Sequence, residues 1–466
     1  MRMLISGGEV ITPSGVTATD VLVVDDKVEA WLDPGHGLDI AVDRVIDATD
    51  KYVIPGGVDA HTHMELPFGG TVSSDDFESG TRAAAWGGTT TIIDFAVQRY
   101  GESVRGSLDE WFAKAEGKCA IDYGFHMIIG GVDEQALKEM DVLVDEGITS
   151  FKLFMAYPGV FFSDDGQILR AMQQAAGNGA MIMMHAENGL AIDVLAEQAV
   201  ERGEIEPVNH GFVRRSELEG EATHRAIALA KVGACPLYIV HLSASEALEA
   251  VAIARARGAN VFAETCPQYL YLSLEDHLAK PGFEGAGYVC STPLRTKHAH
   301  HHADLWKGLR ANELSVVSTD HCPFCMKDQK ELGRDDFRAI PNGLGTVEHR
   351  MDLIYQGVAA GELTLPRWVE LCSTTPARMF GLYPRKGSIR PGSDADIVVY
   401  DPGSSWTISV SEHHMNIDYS AYEGIEVAGR VDTVISRGKV LVHGGAYHGA
   451  KGDGRYLERG LSQYLV

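Results

Sequence analysis

The stretch Gly57-Val58-Asp59-Ala60-His61-Thr62-His63 follows the apolar run Tyr52-Val53-Ile54-Pro55. Alternate side chains of a strand face opposite ways, so His61 and His63 look to one side and Thr62 to the other. Two imidazoles side by side at a strand end can hold a divalent metal once further ligands are supplied. His-x-His also arises by chance on exposed strands, so those further ligands decide the matter. Apolar runs carry or end in ligand types elsewhere: Lys152 within Ser150-Phe151-Lys152-Leu153-Phe154, His185 after Met181-Ile182-Met183-Met184, His241 after Leu237-Tyr238-Ile239-Val240, and Asp320 after Val316-Val317-Ser318-Thr319. A single histidine in such a place is ordinarily a hydrogen-bonded core residue, and an Asp before His321 could cap a helix. Five strand ends of this kind are not credible as independent accidents.

Lys152 is the odd member, because an ammonium inside an apolar strand is costly unless it is paired or neutralised. Reaction of its neutral amine with carbon dioxide would give a carbamate, an anion with one oxygen for each of two metals. Four imidazoles, one Asp and that bridging carbamate would hold two divalent ions of the Zn²⁺ type. His61, His63 and Asp320 fall to the first and His185 and His241 to the second. Two such ions lie about 3.5 to 4 Å apart and share a water acidified to hydroxide near neutral pH. That hydroxide is the expected nucleophile.

These residues need a scaffold that brings strand ends together. From Tyr52 onward, eight apolar strand candidates (52–55, 90–95, 123–129, 150–154, 181–185, 237–241, 260–264 and 314–320) alternate with helical patterns such as Asp75 to Trp86 and Ser245 to Arg257. Near-continuous apolar strands between capped helices imply a parallel sheet covered by helices, and eight of them fit a (β/α)8 TIM barrel, an α/β fold. An open doubly wound sheet would need a glycine-rich phosphate turn after its first strand, which Gly69-Gly70-Thr71 does not supply. Catalysis in such a barrel sits at the carboxyl ends of the strands, where the candidate ligands fall. Residues 1–54 and 391–446 read instead as short strands and turns, including a tight hairpin at Asp25-Asp26-Lys27, and are expected to form one small β-sandwich beside a barrel of residues 55–390. Residues 447–466 form a glycine-rich tail, a candidate for contact with a neighbouring subunit.

The 466 residues carry a formal net charge of −25, with 45% hydrophobic and 23% charged residues. That balance disfavours phosphate backbones, so no nucleic-acid partner is expected. No apolar run reaches the roughly 18 residues of a membrane span and the N-terminus lacks a signal peptide's pattern, so a cytoplasmic protein with no membrane partner is expected. Seven cysteines form no disulfide framework, and Cys322-Pro323-Phe324-Cys325 is read as packing thiols rather than a redox pair. The histidines at 298, 300, 301 and 302 are read as a solvated face.

The constellation resembles the D-hydantoinase/dihydropyrimidinase family of the amidohydrolase superfamily. The matching stretches run through the whole barrel: 55–63, Pro67-Phe68-Gly69-Gly70-Thr71, 150–157, His185-Ala186-Glu187-Asn188, 266–270, 290–295, Asp320-His321-Cys322-Pro323-Phe324 and Ile340-Pro341-Asn342-Gly343. The resemblance implies a binuclear metal-dependent cyclic amidohydrolase with a carbamylated Lys152 (N6-carboxylysine). It would open hydantoins or 5,6-dihydropyrimidines, small cyclic ureides, to N-carbamoyl amino acids. It further implies that Asp320 carries the proton from the attacking hydroxide to the leaving ring nitrogen and that Tyr157 bonds the oxyanion. Backbone groups at Ser291 and Asn342 would hold the ring, and Met64, Leu66, Phe68, Phe154, Phe161 and Phe162 would form a lid, though core packing accounts for Phe154 equally well. A homotetramer is also implied. Dihydroorotases, a related branch, carry an Arg just after His-x-His, where Met64-Glu65 stand here, so an anionic substrate is not expected. An allantoinase-like ureide hydrolase is the alternative; a non-catalytic assembly protein of the same fold would lack most of these ligands.

Overall fold

Eight short runs rich in branched and aromatic side chains become strands whose every residue is buried: β1 (Gly57–Thr62), β2 (Thr89–Val97), β3 (Asp122–Ile128), β4 (Ser150–Phe154), β5 (Met181–His185), β6 (Leu237–Ile239), β7 (Val261–Thr265) and β8 (Val316–Val317). They pair in chain order, all parallel, in one sheet. Burial of both faces is what a parallel sheet wrapped by helices demands. The seam between β8 and β1 is closed by polar contacts. Thr319 donates to the Asp59 carboxylate through its backbone N–H (3.2 Å) and its hydroxyl (2.6 Å), and the His63 N–H reaches the His321 carbonyl at 2.8 Å. The computed structural model describes residues 1–465, so Val466 of the tail lies outside the described residues.

Two expectations about strands are corrected. Tyr52–Pro55 pairs with Ile397–Thr407 and Glu9–Thr12 in a different sheet, and the barrel begins only at Gly57. Gly56 allows the switch, since a Cβ there would come within 2.1 Å of Thr90 Oγ1. An apolar run buried on both faces reads the same in either sheet. The eighth ladder is confined to Val316–Val317, and beyond it Asp320 takes a left-handed backbone (φ 51°).

The chain ends build two further sheets. Four N-terminal strands, Lys27–Leu32, Asp20–Val24, Arg2–Ser6 and Arg44–Asp47, form one; the other is seven-stranded and joins Glu9–Thr12, Gly15–Ala18 and Tyr52–Pro55 to Ile397–Thr407, Glu426–Ser436, Lys439–His443 and Ala446–Tyr447. Met3, Ile5, Val21, Val53, Ile397 and Ile435 belong to a core separate from the barrel's. The turn at Asp25-Asp26 is the expected hairpin, with Val24 paired to Lys27. Within 391–446, expected as short strands and turns, one long strand runs over Ile397–Thr407, irregular between Asp401 and Ser405. Lys386 rivets barrel to sandwich, its buried Nζ lying 2.6 Å from Asp122, 2.7 Å from Asp396 and 3.0 Å from Asp394.

Capped helices cover the barrel. Asp76 opens Phe77–Trp86 by accepting the backbone N–H groups of Glu78 and Ser79 at 2.9 and 2.7 Å, worth about 1 kcal/mol. The tail lies along its own barrel: the Leu457 N–H donates to the Tyr123 carbonyl (2.8 Å), and Arg459 Nη2 reaches the Phe125 carbonyl (2.6 Å). The histidine cluster divides, with His298 and His300 exposed but His301 buried and accepting from the Ser245 N–H at 3.1 Å. All seven cysteines are free thiols. Among the described residues, no helix is long and apolar enough to cross a membrane.

Candidate metal centre

β1 delivers His61 and His63 side by side as its alternation requires, their Nε2 atoms 3.2 Å apart. Thr62, turned the other way, donates to Asp94 at 2.7 Å. From the end of β8, Asp320 places Oδ1 3.1 Å from His61 Nε2 and 3.4 Å from His63 Nε2. From β4, Lys152 brings Nζ within 2.9 Å of the same His61 nitrogen and 4.3 Å from the centre of the Phe95 ring. Beside them, β5 and the end of β6 set His185 Nδ1 and His241 Nε2 2.9 Å apart, with the His241 ring 5.6 Å from that of His61. All six side chains predicted as ligands meet at one end of the barrel. His61, His63 and Asp320 also form a group whose ligand atoms could share one ion.

Carboxylates behind the imidazoles fix which nitrogen faces inward. Glu264, at the end of β7, takes His61 Nδ1, the Tyr238 hydroxyl (2.9 Å) and the His241 N–H (3.1 Å). Glu187 takes His185 Nε2 at 2.8 Å and Arg214 Nη1 at 2.6 Å. With their outer nitrogens engaged, His61 and His185 present the other nitrogen as a lone pair to the centre. Facing lone pairs about 3 Å apart repel unless a cation or proton lies between them, and burial pushes His63 down to about 3, which leaves it a neutral ligand. The donor set therefore fits divalent cations. Burial also lowers Lys152 to about 8, against the pull of Asp320 and Glu264. For Asp320, burial favours the neutral acid, but His61 and His63 overcome it and hold the carboxyl well below its ordinary value.

The pocket above is lined by His63, Lys152, His185, His241 and Asp320 on its floor, by Tyr157, Ser291 and Asn342 on one side, and by Leu66, Phe68, Phe154 and Phe161 as an apolar wall. Asn342 Nδ2 donates to Ser291 Oγ at 3.0 Å and to the Tyr157 oxygen at 3.2 Å, which ties the tyrosine to the shelf beside it. Met64 and Phe162 are not among its lining residues. Met64 is buried at the position a Gly80 side chain would occupy, and Phe162 bridges to Phe154 through its backbone. Tyr157, His241 and Asp320 all hold left-handed backbones, at φ 63°, 40° and 51°. Such strain costs about 1–3 kcal/mol per residue and gathers at functional sites.

Inspection of strand ends missed Glu264 although it ends the seventh strand, and missed Glu187 and the pocket-lining Cys322. The signal for Glu264 was the one that found the others, a charged group closing an apolar run.

The amidohydrolase family model matches residues 52–441. The chain belongs to the amidohydrolase family. Among amidohydrolases it is 63% identical to a D-hydantoinase of Streptomyces coelicolor, over 100% of this chain and 99% of that one. It is 46% identical to a D-hydantoinase of Geobacillus stearothermophilus, over 98% and 97% of the two chains. Its fold superposes on a crystal structure of dihydropyrimidinase from Brevibacillus agri with a TM-score of 0.96 at 46% identity, covering 99% of each. The candidate metal ligands of this amidohydrolase therefore stand on a barrel whose whole length, and not only its motifs, is shared with those enzymes.

Proposed function

We propose that this amidohydrolase hydrolyses the cyclic amide bond of hydantoins or 5,6-dihydropyrimidines to give N-carbamoyl amino acids. The observation that carries the reading is the convergence of two imidazole pairs and Asp320 around Lys152, beneath a pocket with an apolar wall. His61, His63 and Asp320 would hold one divalent ion and His185 and His241 the other, both read as zinc, with Lys152 as the bridge. The neutral Lys152 amine adds to carbon dioxide, forming an N–C bond and releasing one proton to solvent; its depressed affinity for protons supports this. When bound, the metal pair supplies a water acidic enough to attack an amide carbon near neutral pH.

Asp320, held ionised, accepts the proton of that water and passes it to the leaving ring nitrogen. Tyr157 donates its O–H to the oxygen that gains charge. The ureide edge of the ring rests on Ser291 and Asn342, while its substituent lies against Leu66, Phe68, Phe154 and Phe161. No arginine is among the described residues lining the pocket, which supports an uncharged substrate. The relative's name supports turnover of the D-series. A homotetramer accompanies the reading by resemblance and a cytoplasmic location is kept from the sequence expectation; light scattering and fractionation test them.

The deciding experiment incubates the protein with zinc and bicarbonate and follows dihydrouracil and 5-substituted hydantoins by chiral product analysis. Ring opening of either is the expected result. Failure on both, with allantoin hydrolysed instead, overturns it.

A further inference from the structure

Lys330 is fully buried, yet among the described residues no carboxylate meets it. Its Nζ donates instead to three backbone carbonyls: Val289 at 2.9 Å, Pro341 at 2.6 Å and Gly343 at 2.9 Å. A protonated amine has three N–H bonds, so the match is complete only for the ammonium. Burying a charge on neutral acceptors is an expensive way to fill space, and a methionine would pack as well.

The three carbonyls are not scattered. Pro341 and Gly343 are the two neighbours of Asn342, and Val289 stands two residues before Ser291. The Gly343 N–H also donates to the Val289 carbonyl at 3.0 Å. Gly343 holds φ +151°, and a Cβ there would come within 2.1 Å of the Cys322 carbonyl, so the Asn342 segment is wedged between the Ser291 segment and the chain leaving Asp320. The next residue back, Gln329, donates to Thr71 Oγ1 (3.0 Å) and the Val72 carbonyl (2.6 Å), bracing the hairpin that carries Phe68.

We propose that Lys330 is a positioning residue of the reaction, its Nζ clamping the two backbone segments that present Ser291 and Asn342 to the substrate ring. The proposal rests on the reading of Ser291 and Asn342 as the substrate's shelf. Lys330 touches neither substrate nor metal; it sets the spacing of groups that touch the ring, and small misplacements of such groups are costly.

The test compares the wild type with Lys330→Met and Lys330→Gln, each loaded with zinc and bicarbonate. Two ligands are followed: a 5-substituted hydantoin, which needs the shelf, and acetohydroxamic acid, a chelator small enough to bind only the metals. The expected result for Lys330→Met is a kcat/KM for the hydantoin lower by about ten- to a hundredfold, carried mainly by KM. Metal stoichiometry and the acetohydroxamate inhibition constant stay at wild-type values. Lys330→Gln, which keeps two of the three donors, falls between, and decides the matter if the methionine variant does not fold. Wild-type KM in both variants, or equal weakening of both ligands, overturns the clamp while leaving the reaction intact. A wild type that opens no ring overturns the reading of the reaction, and the clamp falls with it.

Discussion

Glu264 stands directly behind His61, its carboxylate on the imidazole Nδ1, so that Nε2 is the atom turned toward Lys152 and Asp320. The same carboxylate takes the backbone N–H of His241, and one acidic residue thus orients parts of both imidazole pairs. Partners of this kind typically contribute 10- to 100-fold in metal affinity or activity. Glu264→Gln should therefore weaken zinc binding by about that factor, read by competition with a fluorescent chelator, while the circular dichroism spectrum is unchanged. Unaltered zinc affinity would mean that the carboxylate serves packing alone.

Lys152 gives a prediction with a definite sign. Burial lowers its pKa to about 8, so the neutral amine that reacts with carbon dioxide grows as pH rises through that value. Reactivation of metal-stripped protein at constant dissolved carbon dioxide should therefore speed up about tenfold for each pH unit below 8 and level off above it. Lys152→Met should abolish activity even with zinc in excess. A reactivation rate independent of both pH and carbon dioxide would dismiss the carbamate.

The strand-end residues were legible in the sequence because a charged or ligating group that closes an apolar run violates the composition of its surroundings. His61, His63, His185, His241 and Asp320 announced themselves in this way, and Lys152 did so as a charge inside such a run. Two things were not legible. Which sheet Tyr52–Pro55 joins depends on partners more than 340 residues away, Ile397 to Tyr400, and no local period encodes that choice. Met64 sits beside the candidate metal ligands in sequence, but the next turn of chain buries it against the helix Phe77–Trp86, where only the absence of a side chain at Gly80 makes room.

The apolar wall should sort substrates by size. Phe161 stacks on Phe154 with ring centres 4.9 Å apart and faces Phe68 at 6.4 Å. Apolar pockets discriminate by about 1–3 kcal/mol per methylene. Phe161→Ala should thus raise kcat/KM for 5-phenylhydantoin relative to 5-methylhydantoin by roughly 10-fold or more, measured by competition in one reaction. An unchanged ratio would remove Phe161 from the specificity wall.

Asp352 offers a test of stability rather than catalysis. It is 4% exposed near the barrel–sandwich junction, and burial raises its pKa to about 7. A carboxyl whose folded pKa exceeds its unfolded value contributes stability that is complete below the unfolded value and is lost as pH rises through the folded one. The window is therefore about pH 4 to 7, and the loss across it is of the order of a few kcal/mol. Asp352→Asn should gain on the wild type by that amount between pH 4 and pH 8 in urea unfolding. A difference that does not vary with pH would place the ionised carboxylate in a satisfied environment.

The tail separates two sources of stability. Its backbone pairs with the start of β3, where the Tyr123 N–H donates to the Arg455 carbonyl at 3.0 Å. Tyr456 lies against Tyr123 and Phe112, with ring centres 5.9 and 4.7 Å apart. Arg459 adds bonds to the Phe125 carbonyl and to Ser150 Oγ (2.9 Å), but burial pulls its guanidinium down to about 10, and Nε and Nη1 have no partner. Its hydrogen bonds are thus offset by the cost of the buried charge, and an apolar replacement of similar size loses little. Arg459→Met should stay within about 1–2 kcal/mol of the wild type, whereas removal of residues 455–466 uncovers the aromatic edge and should cost several kcal/mol. Urea titration of the two variants distinguishes the cases: equal losses would make the guanidinium, and not the aromatic cover, what fastens the tail.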